Sequence, residues 1–326
     1  MVKLFGLIFI ILGTFIGAGC ISGRETVIYF TNYSQYFLMS LIAVICITFI
    51  FNFYLNFGKK YRIQNFTDYN KILFGNKSYV FNFLFVVCIL CIVGNMFAGL
   101  DLLLFPIIKN TLFINILLLV SIYIIVSHDI SGIEKLNIVI IPFIIIFIVL
   151  ITIFSIDITV MYNTVQECNI SFFKVIIFIF LNVLDISVLL CQVANRYSHR
   201  TYKIASIICG VIIFIILILQ SMSVLSNNII DLELPMLELS KQCNLEIVYY
   251  FVSLFAMFTT LISAVYLVYS YLVQYCNKIL SIIIISSVSI LISALGFSFI
   301  ISYVYILLGI LGVVLFLRSI YVYYFK

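Results

Sequence analysis

The chain has 326 residues, 65% of them hydrophobic and 9% charged, with a mean hydropathy of +1.32 and a formal net charge of +5. Soluble domains carry about 25% charged residues, so this composition excludes a soluble enzyme or a nucleic-acid-binding domain and requires a polytopic membrane protein. At about 20 residues per span the chain holds ten spans and short loops, with no room for a soluble domain.

Apolar runs fall near residues 3–30, 35–57, 78–108, 111–127, 137–156, 171–194, 202–224, 247–273, 279–296 and 298–321. The expected fold is all-α, a single transmembrane domain of ten helices over residues 1–326. Two five-span halves, about 1–156 and about 171–326, would be related as inverted repeats, with spans 1 and 6 discontinuous. Of seventeen Lys and Arg residues, all but Arg24, Lys109, Lys174 and Lys241 fall on one side if both termini are cytoplasmic, as the positive-inside rule requires. A removable signal ending at Gly17-Ala18-Gly19 is the competing reading of the first run. Its single lysine, Lys3, and the apolar stretch from Val27 to Phe30 argue against it.

The first run contains Gly13-Thr14-Phe15-Ile16-Gly17-Ala18-Gly19-Cys20-Ile21-Ser22-Gly23-Arg24-Glu25. Glycine costs a helix about 1 kcal/mol relative to alanine, and freed backbone at membrane depth is tolerated only inside protein or along a cavity. A helix ending at Gly17 leaves the carbonyls of Gly13 through Ile16 without amide partners, a negative end suited to a small cation. A second half-helix starting near Cys20 turns its amides to the same depth and suits an anion such as a carboxylate. Gly13-x3-Gly17 and Gly19-x3-Gly23 also fit close helix packing, but packing leaves Arg24-Glu25 unexplained. That charged pair would either gate an external vestibule or pair structurally.

Residues 58–77 read as a basic loop entering a short amphipathic helix on the inner leaflet, with Phe66, Tyr69, Ile72 and Leu73 at helical spacing, or as an ordinary solvated connector. In span 3, Asn95 is a pocket donor or an interhelical polar contact, and Asp101 near Pro106 is interfacial. Cys88-x2-Cys91 has no histidine nearby and is not read as a metal site. Span 6 carries Asn182 and Asp185 near mid-depth, without a glycine. Asp185 could pair with a substrate amine, carry a proton or neutralise Arg24. The acidic segment 225–246, around Leu234-Pro235-Met236-Leu237, reads as a partly helical external lid or an ordinary connector, and Cys168 and Cys243 could bridge external loops. In span 8, Ala256, Thr259 and Thr260 share one helix face. Their carbonyl and hydroxyls could complete a five-oxygen cation site with Gly13 and Ile16, or the threonines could bond their own helix. No catalytic or nucleotide-binding motif appears, so neither an enzyme nor a cofactor is expected.

The opening motif, with Ser22-Gly23-Arg24-Glu25, resembles the start of the YkvI family of bacterial membrane proteins. The likeness continues in Gly132-Ile133-Glu134-Lys135-Leu136-Asn137, Leu234-Pro235-Met236-Leu237, Phe258-Thr259-Thr260 and Gly296-Phe297-Ser298. Cys20-Ile21 stands where Phe-Ala is usual. The family is similar to the amino acid–polyamine–organocation superfamily, which implies a LeuT-type fold in the bacterial cytoplasmic membrane. Similarity to sodium-coupled members implies a sodium site on Gly13, Ile16, Ala256, Thr259 and Thr260. Some proton-coupled relatives have a span-5 lysine instead, and Asn137 to Ile156 contains none, which makes the proton the second choice.

Three functions follow from these readings. The first is a secondary transporter for a small amino-acid-like solute at Gly17, Ala18, Gly19, Cys20 and Ile21, with the solute carboxylate on the amides and its amine on Asn182 or Asp185. The second is a nutrient receptor on the same scaffold, similar to spore-germinant receptor subunits, that binds without transporting. The third is a structural membrane protein whose glycines serve packing alone. The expected partners are the solute and the lipid bilayer, with no nucleic acid; the sequence leaves the oligomeric state open.

Overall fold

The computed structural model describes residues 2–31, 35–126, 130–156 and 172–325, and it contains no strand among them. The chain begins with α1 (Val2–Phe15), which stops two residues short of a five-residue helix, α2 (Ala18–Ser22). Gly17 between them is extended at φ −97° and ψ −166°, so the ladder of α1 does not continue into α2. Gly23 then adopts a left-handed conformation at φ 78°, which costs a residue without Cβ little. It turns the chain into α3 (Arg24–Thr26) and a π-helical turn, Val27–Thr31.

The remaining helices are α4 (Tyr36–Tyr61), α5 (Phe66–Phe74), α6 (Ser78–Ile108), α7 (Thr111–Val126), α8 (Ile130–Ser155), α9 (Phe172–Val193), α10 (His199–Ser226), α11 (Pro235–Gln242), α12 (Glu246–Leu272), α13 (Lys278–Ser293), α14 (Phe297–Phe299) and α15 (Tyr305–Phe325). A second π-helical turn, Ile300–Val304, joins α14 to α15. Among the described residues six helices are long and apolar enough to cross a bilayer: α4, the α5–α6 stretch, part of α8, α10, α12 and the stretch from α14 through α15. The outer surface is apolar, with Phe49, Phe83, Phe143, Phe154, Leu291 and Leu307 exposed, whereas Asn95, Gln220, Thr259 and Thr260 are buried. This inside-out partition is what a lipid solvent selects.

Helix α9 bends where span 6 was expected to be interrupted. It is helical from Phe172 to Val193 and bends by 43° between Leu184 and Ile186. No glycine stands at the bend. Both halves are tightly packed. Cβ atoms at Gly309 and Gly312 of α15 would run into the Ile177 and Phe180 carbonyls, and one at Gly58 of α4 would run into the Cys191 backbone. Glycine therefore lets these backbones touch.

Helix α5 forms where its spacing predicts. Asn65 caps it, accepting from the Asp68 amide at 2.8 Å. Its apolar face does not lie on a lipid leaflet, because Phe66 packs on the rings of Phe85 and Tyr271 at 5.4 and 5.0 Å, inside the protein. The 225–246 segment contains α11, started by Pro235. Cys168 lies outside the described residues, as does the side chain of Asp185.

Candidate functional site: the interrupted first segment

Because α1 ends at Phe15, the carbonyls of its last turn lie beside α12. Thr260 Oγ1 is 3.3 Å from Gly13 O, 3.2 Å from Ile16 O and 3.3 Å from Ala256 O. Thr259 Oγ1 donates to Ala256 O at 2.9 Å. All five residues named in the sequence for a cation site are thus brought together. Thr260 has one hydroxyl proton for three carbonyl oxygens, and each contact is at or beyond the upper end of normal hydrogen-bond length. The cluster holds more lone pairs than protons, a donor set that fits a small hard cation. Bonding of the threonines to their own helix also occurs here, at the shared Ala256 carbonyl.

Two carbonyls of α2 accept bonds from other helices. Gln220 Nε2 on α10 donates to Cys20 O at 2.8 Å, and Tyr249 Oη on α12 donates to Ile21 O at 3.4 Å. Gln220 Oε1 accepts from Thr26 Oγ1 at 2.7 Å. Neither Gln220 nor Tyr249 was singled out from sequence. A glutamine followed by Ser221, Ser223 and Ser226 in an apolar helix was the available signal.

The charged pair separates. Arg24 lines a vestibule of about 470 Å³ with Tyr29, Lys174, Asp231 and Tyr303. Its Nη1 donates to the carbonyls of Ile230 and Leu232 at 3.0 Å each, tying α3 to the segment that leads into α11. Glu25 instead lines an internal cavity of about 30 Å³ with Thr14, Gly17, Asn182, Thr260 and Tyr305. A Cβ at Gly19 would collide with the Glu25 carboxylate, so Gly19 makes the room for it. Of the two expected roles, a vestibule gate or a structural pair, the gate would have kept Glu25 beside Arg24 in the vestibule. The turn at Gly23 carries it back toward the break. Asn182 reaches the same cavity, while its Nδ2 donates to Phe178 O at 2.8 Å.

Aromatic rings stand between the cavity and the vestibule. Phe178 packs between Phe15, a cavity residue, and Tyr29, a vestibule residue, at ring distances of 6.0 and 5.7 Å. Above it, Met236 and Pro235 of α11 lie over Gly23. On the exposed side of α11, the Glu238 carboxylate sits 3.1 Å from Lys241 Nζ and raises the Lys241 pKa above its usual value. Toward the C-terminal ends of α4 and α15, Tyr69 Oη of α5 lies 3.1 Å from Ser319 Oγ of α15 and 3.5 Å from Tyr54 Oη of α4, all fully buried. Arg318 Nε adds a bond to Leu73 O at 2.7 Å.

No protein-family model matches the chain, and no curated protein matches it by sequence. Solved structures do. The chain superposes on MhsT in complex with L-phenylalanine with a TM-score of 0.72 and 15% identity, covering 95% of this chain and 87% of that one. It superposes on Mhp1, a nucleobase-cation-symport-1 family transporter in a closed conformation with bromovinylhydantoin bound, with a TM-score of 0.63 and 15% identity, covering 88% and 70%. A Na+-coupled sialic acid symporter in a substrate-bound outward-open state gives a TM-score of 0.63 and 14% identity, covering 98% and 78%. The chain has the LeuT-type fold. The solutes in these complexes belong to those proteins.

Proposed function

We propose that this protein is a cation-coupled secondary transporter for a small solute, working by alternating access, with the solute in the Glu25 cavity and sodium at the Thr260 cluster. The observation that carries the proposal is the set of three carbonyls around one hydroxyl, where the end of α1 meets α12. A cation there would join α1 to α12 and couple ion occupancy to the shape of the cavity beside it. The LeuT-type fold of known symporters supports the same reading. So do the quoted YkvI-like motifs, which favour ten helices in two inverted halves, a bacterial cytoplasmic membrane and cytoplasmic termini.

The two seals supply the alternation. Freeing Arg24 and α11 would open the cavity through the vestibule, and parting Tyr69 from Ser319 would open it at the opposite end. A membrane potential of 100 mV adds about 2.3 kcal/mol per sodium charge moved. The test is purified full-length protein in proteoliposomes, with thermal stability and solute counterflow measured in sodium and in choline chloride. Saturable stabilisation by sodium that Thr260→Val abolishes is the expected result. No sodium response in either assay refutes the coupling. Saturable solute binding without counterflow would make the protein a receptor.

A further inference from the structure

Helices α6 and α15 flank an apolar groove on the outer surface of the bundle. Phe81, Leu84 and Cys88 of α6 form one wall, Leu311 and Val314 of α15 form the other, and the buried Leu184 of α9 lies between them. Leu84 and Val314 are 38% and 46% exposed at its rim, and no lining residue carries charge. The hollow measures about 20 Å³, so a hydrocarbon chain lies along it and does not enter the bundle. Leu184 is the last residue before the bend in α9.

One end of the groove is basic. Arg318 follows Leu311 and Val314 on the same face of α15, seven and four residues on. Its Nε donates to Leu73 O at 2.7 Å, and the ring of Phe74, next to Leu73, stacks on Phe81 at 3.4 Å. These two contacts fix the guanidinium beside the Phe81 end of the groove. Lys77, one turn before Phe81, and Lys71, on the Phe74 face of α5, are exposed there. Asp68 is the acid of α5, one carboxylate against three cations. Tyr321 lies 5.0 Å from the Arg318 guanidinium and is 51% exposed, an amphipathic ring of the kind enriched at headgroup depth.

An apolar strip that ends in a cation cluster matches a molecule with a hydrocarbon chain and an anionic head. The planar fork of arginine takes phosphate oxygens in pairs, and lysine adds a point charge. Free phosphate matches the cations alone. A zwitterionic lipid brings a cation of its own to a cluster that already holds three.

We propose that this groove is a binding site for an anionic phospholipid, with its phosphate on Arg318, Lys77 and Lys71 and one acyl chain along α6 and α15 against Leu184. The chain contains no tryptophan, so a single introduced indole reports lipid at a chosen position. Leu84→Trp places it at the groove, with Val314→Trp as the second groove position. Phe83→Trp places it one residue away, at a side chain that is 65% exposed and outside the groove. Purified full-length protein is reconstituted in mixtures of phosphatidylglycerol and phosphatidylcholine, with one lipid or the other brominated, and quenching gives their relative affinity at each position. The expected result is an at least threefold preference for phosphatidylglycerol at the groove, none at Phe83→Trp, and a preference at least halved by Lys77→Gln or Arg318→Gln.

Equal preference at the groove and at Phe83→Trp reports diffuse attraction to the charged end and overturns the site. A preference that persists in both charge variants overturns the headgroup assignment. Relief of quenching by inorganic phosphate at constant ionic strength makes the cluster a free-anion site and overturns the lipid. Arg318→Gln also removes the bond to Leu73, so Lys77→Gln, at an exposed residue, decides the matter should the Arg318 variant fail to fold.

Discussion

Gln220 Nε2 donates to the carbonyl of Cys20 at 2.8 Å while its Oε1 accepts from Thr26 Oγ1 at 2.7 Å. One fully buried side chain thus holds the helical turn before Gly23 and the one after it. Replacing it with leucine keeps the volume and removes both bonds. A buried group left unsatisfied costs about 1–3 kcal/mol, so we predict that Gln220→Leu lowers the thermal midpoint and weakens solute binding severalfold. A variant as stable as wild type with unchanged binding would show that α2 needs no such support.

Gly19 gives a sharper test of the same region. The added methyl of Gly19→Ala occupies the space of the Glu25 carboxylate and must displace that side chain. The expected outcome is a loss of solute counterflow of at least tenfold with sodium-dependent stabilisation retained, since Gly13, Ile16 and Thr260 are untouched. Loss of both responses together would mean that the methyl collapses the whole break.

Arg24 fastens the segment before α11 through two carbonyls. Hydrogen bonds from a charged donor contribute about 1.5–3 kcal/mol. Arg24→Gln is therefore predicted to speed amide hydrogen exchange across residues 228–242 by one to two orders of magnitude and to leave exchange in α5 unaltered. Equal exchange in the two proteins would remove Arg24 as a latch.

At the opposite end, Tyr69→Phe deletes one hydroxyl from the Tyr54–Ser319 group and leaves the ring in place. Cys191 is fully buried there, its Sγ donating to Tyr54 O at 3.4 Å. The variant should label faster than wild type with a membrane-impermeant thiol reagent applied from the α5 side, and bound sodium should slow that labelling. Identical labelling rates would count against the tyrosines as a seal.

Much of this arrangement was legible before any coordinates. Glycines mark where a helix cannot hold, so the stop after Phe15 followed from composition. The i, i+3, i+4 spacing of Ala256, Thr259 and Thr260 followed from helix geometry. What was hidden depends on direction. Depth counting left Glu25 as an outer gate or a structural pair with Arg24 because it treats a span as straight, and it takes no account of the left-handed turn at Gly23. The partners of the freed carbonyls are equally invisible, because Gln220 and Tyr249 lie about two hundred residues downstream and meet α2 only in the folded bundle. In α9 the expected interruption is met by a 43° bend at position 185, which no glycine marks in the sequence.

The glycine contacts on α9 also decide how force passes through it. Ile177 and Phe180, before the bend, are locked to Gly309 and Gly312 of α15, whereas Cys191, after it, is locked to Gly58 of α4. Each arm of the elbow is thereby welded to a different neighbour. The two neighbours are themselves joined, by the Phe53 and Phe316 rings at 5.5 Å and by Tyr61 Oη donating to Val322 O at 2.9 Å, so the elbow is clamped on both arms by one connected pair of helices.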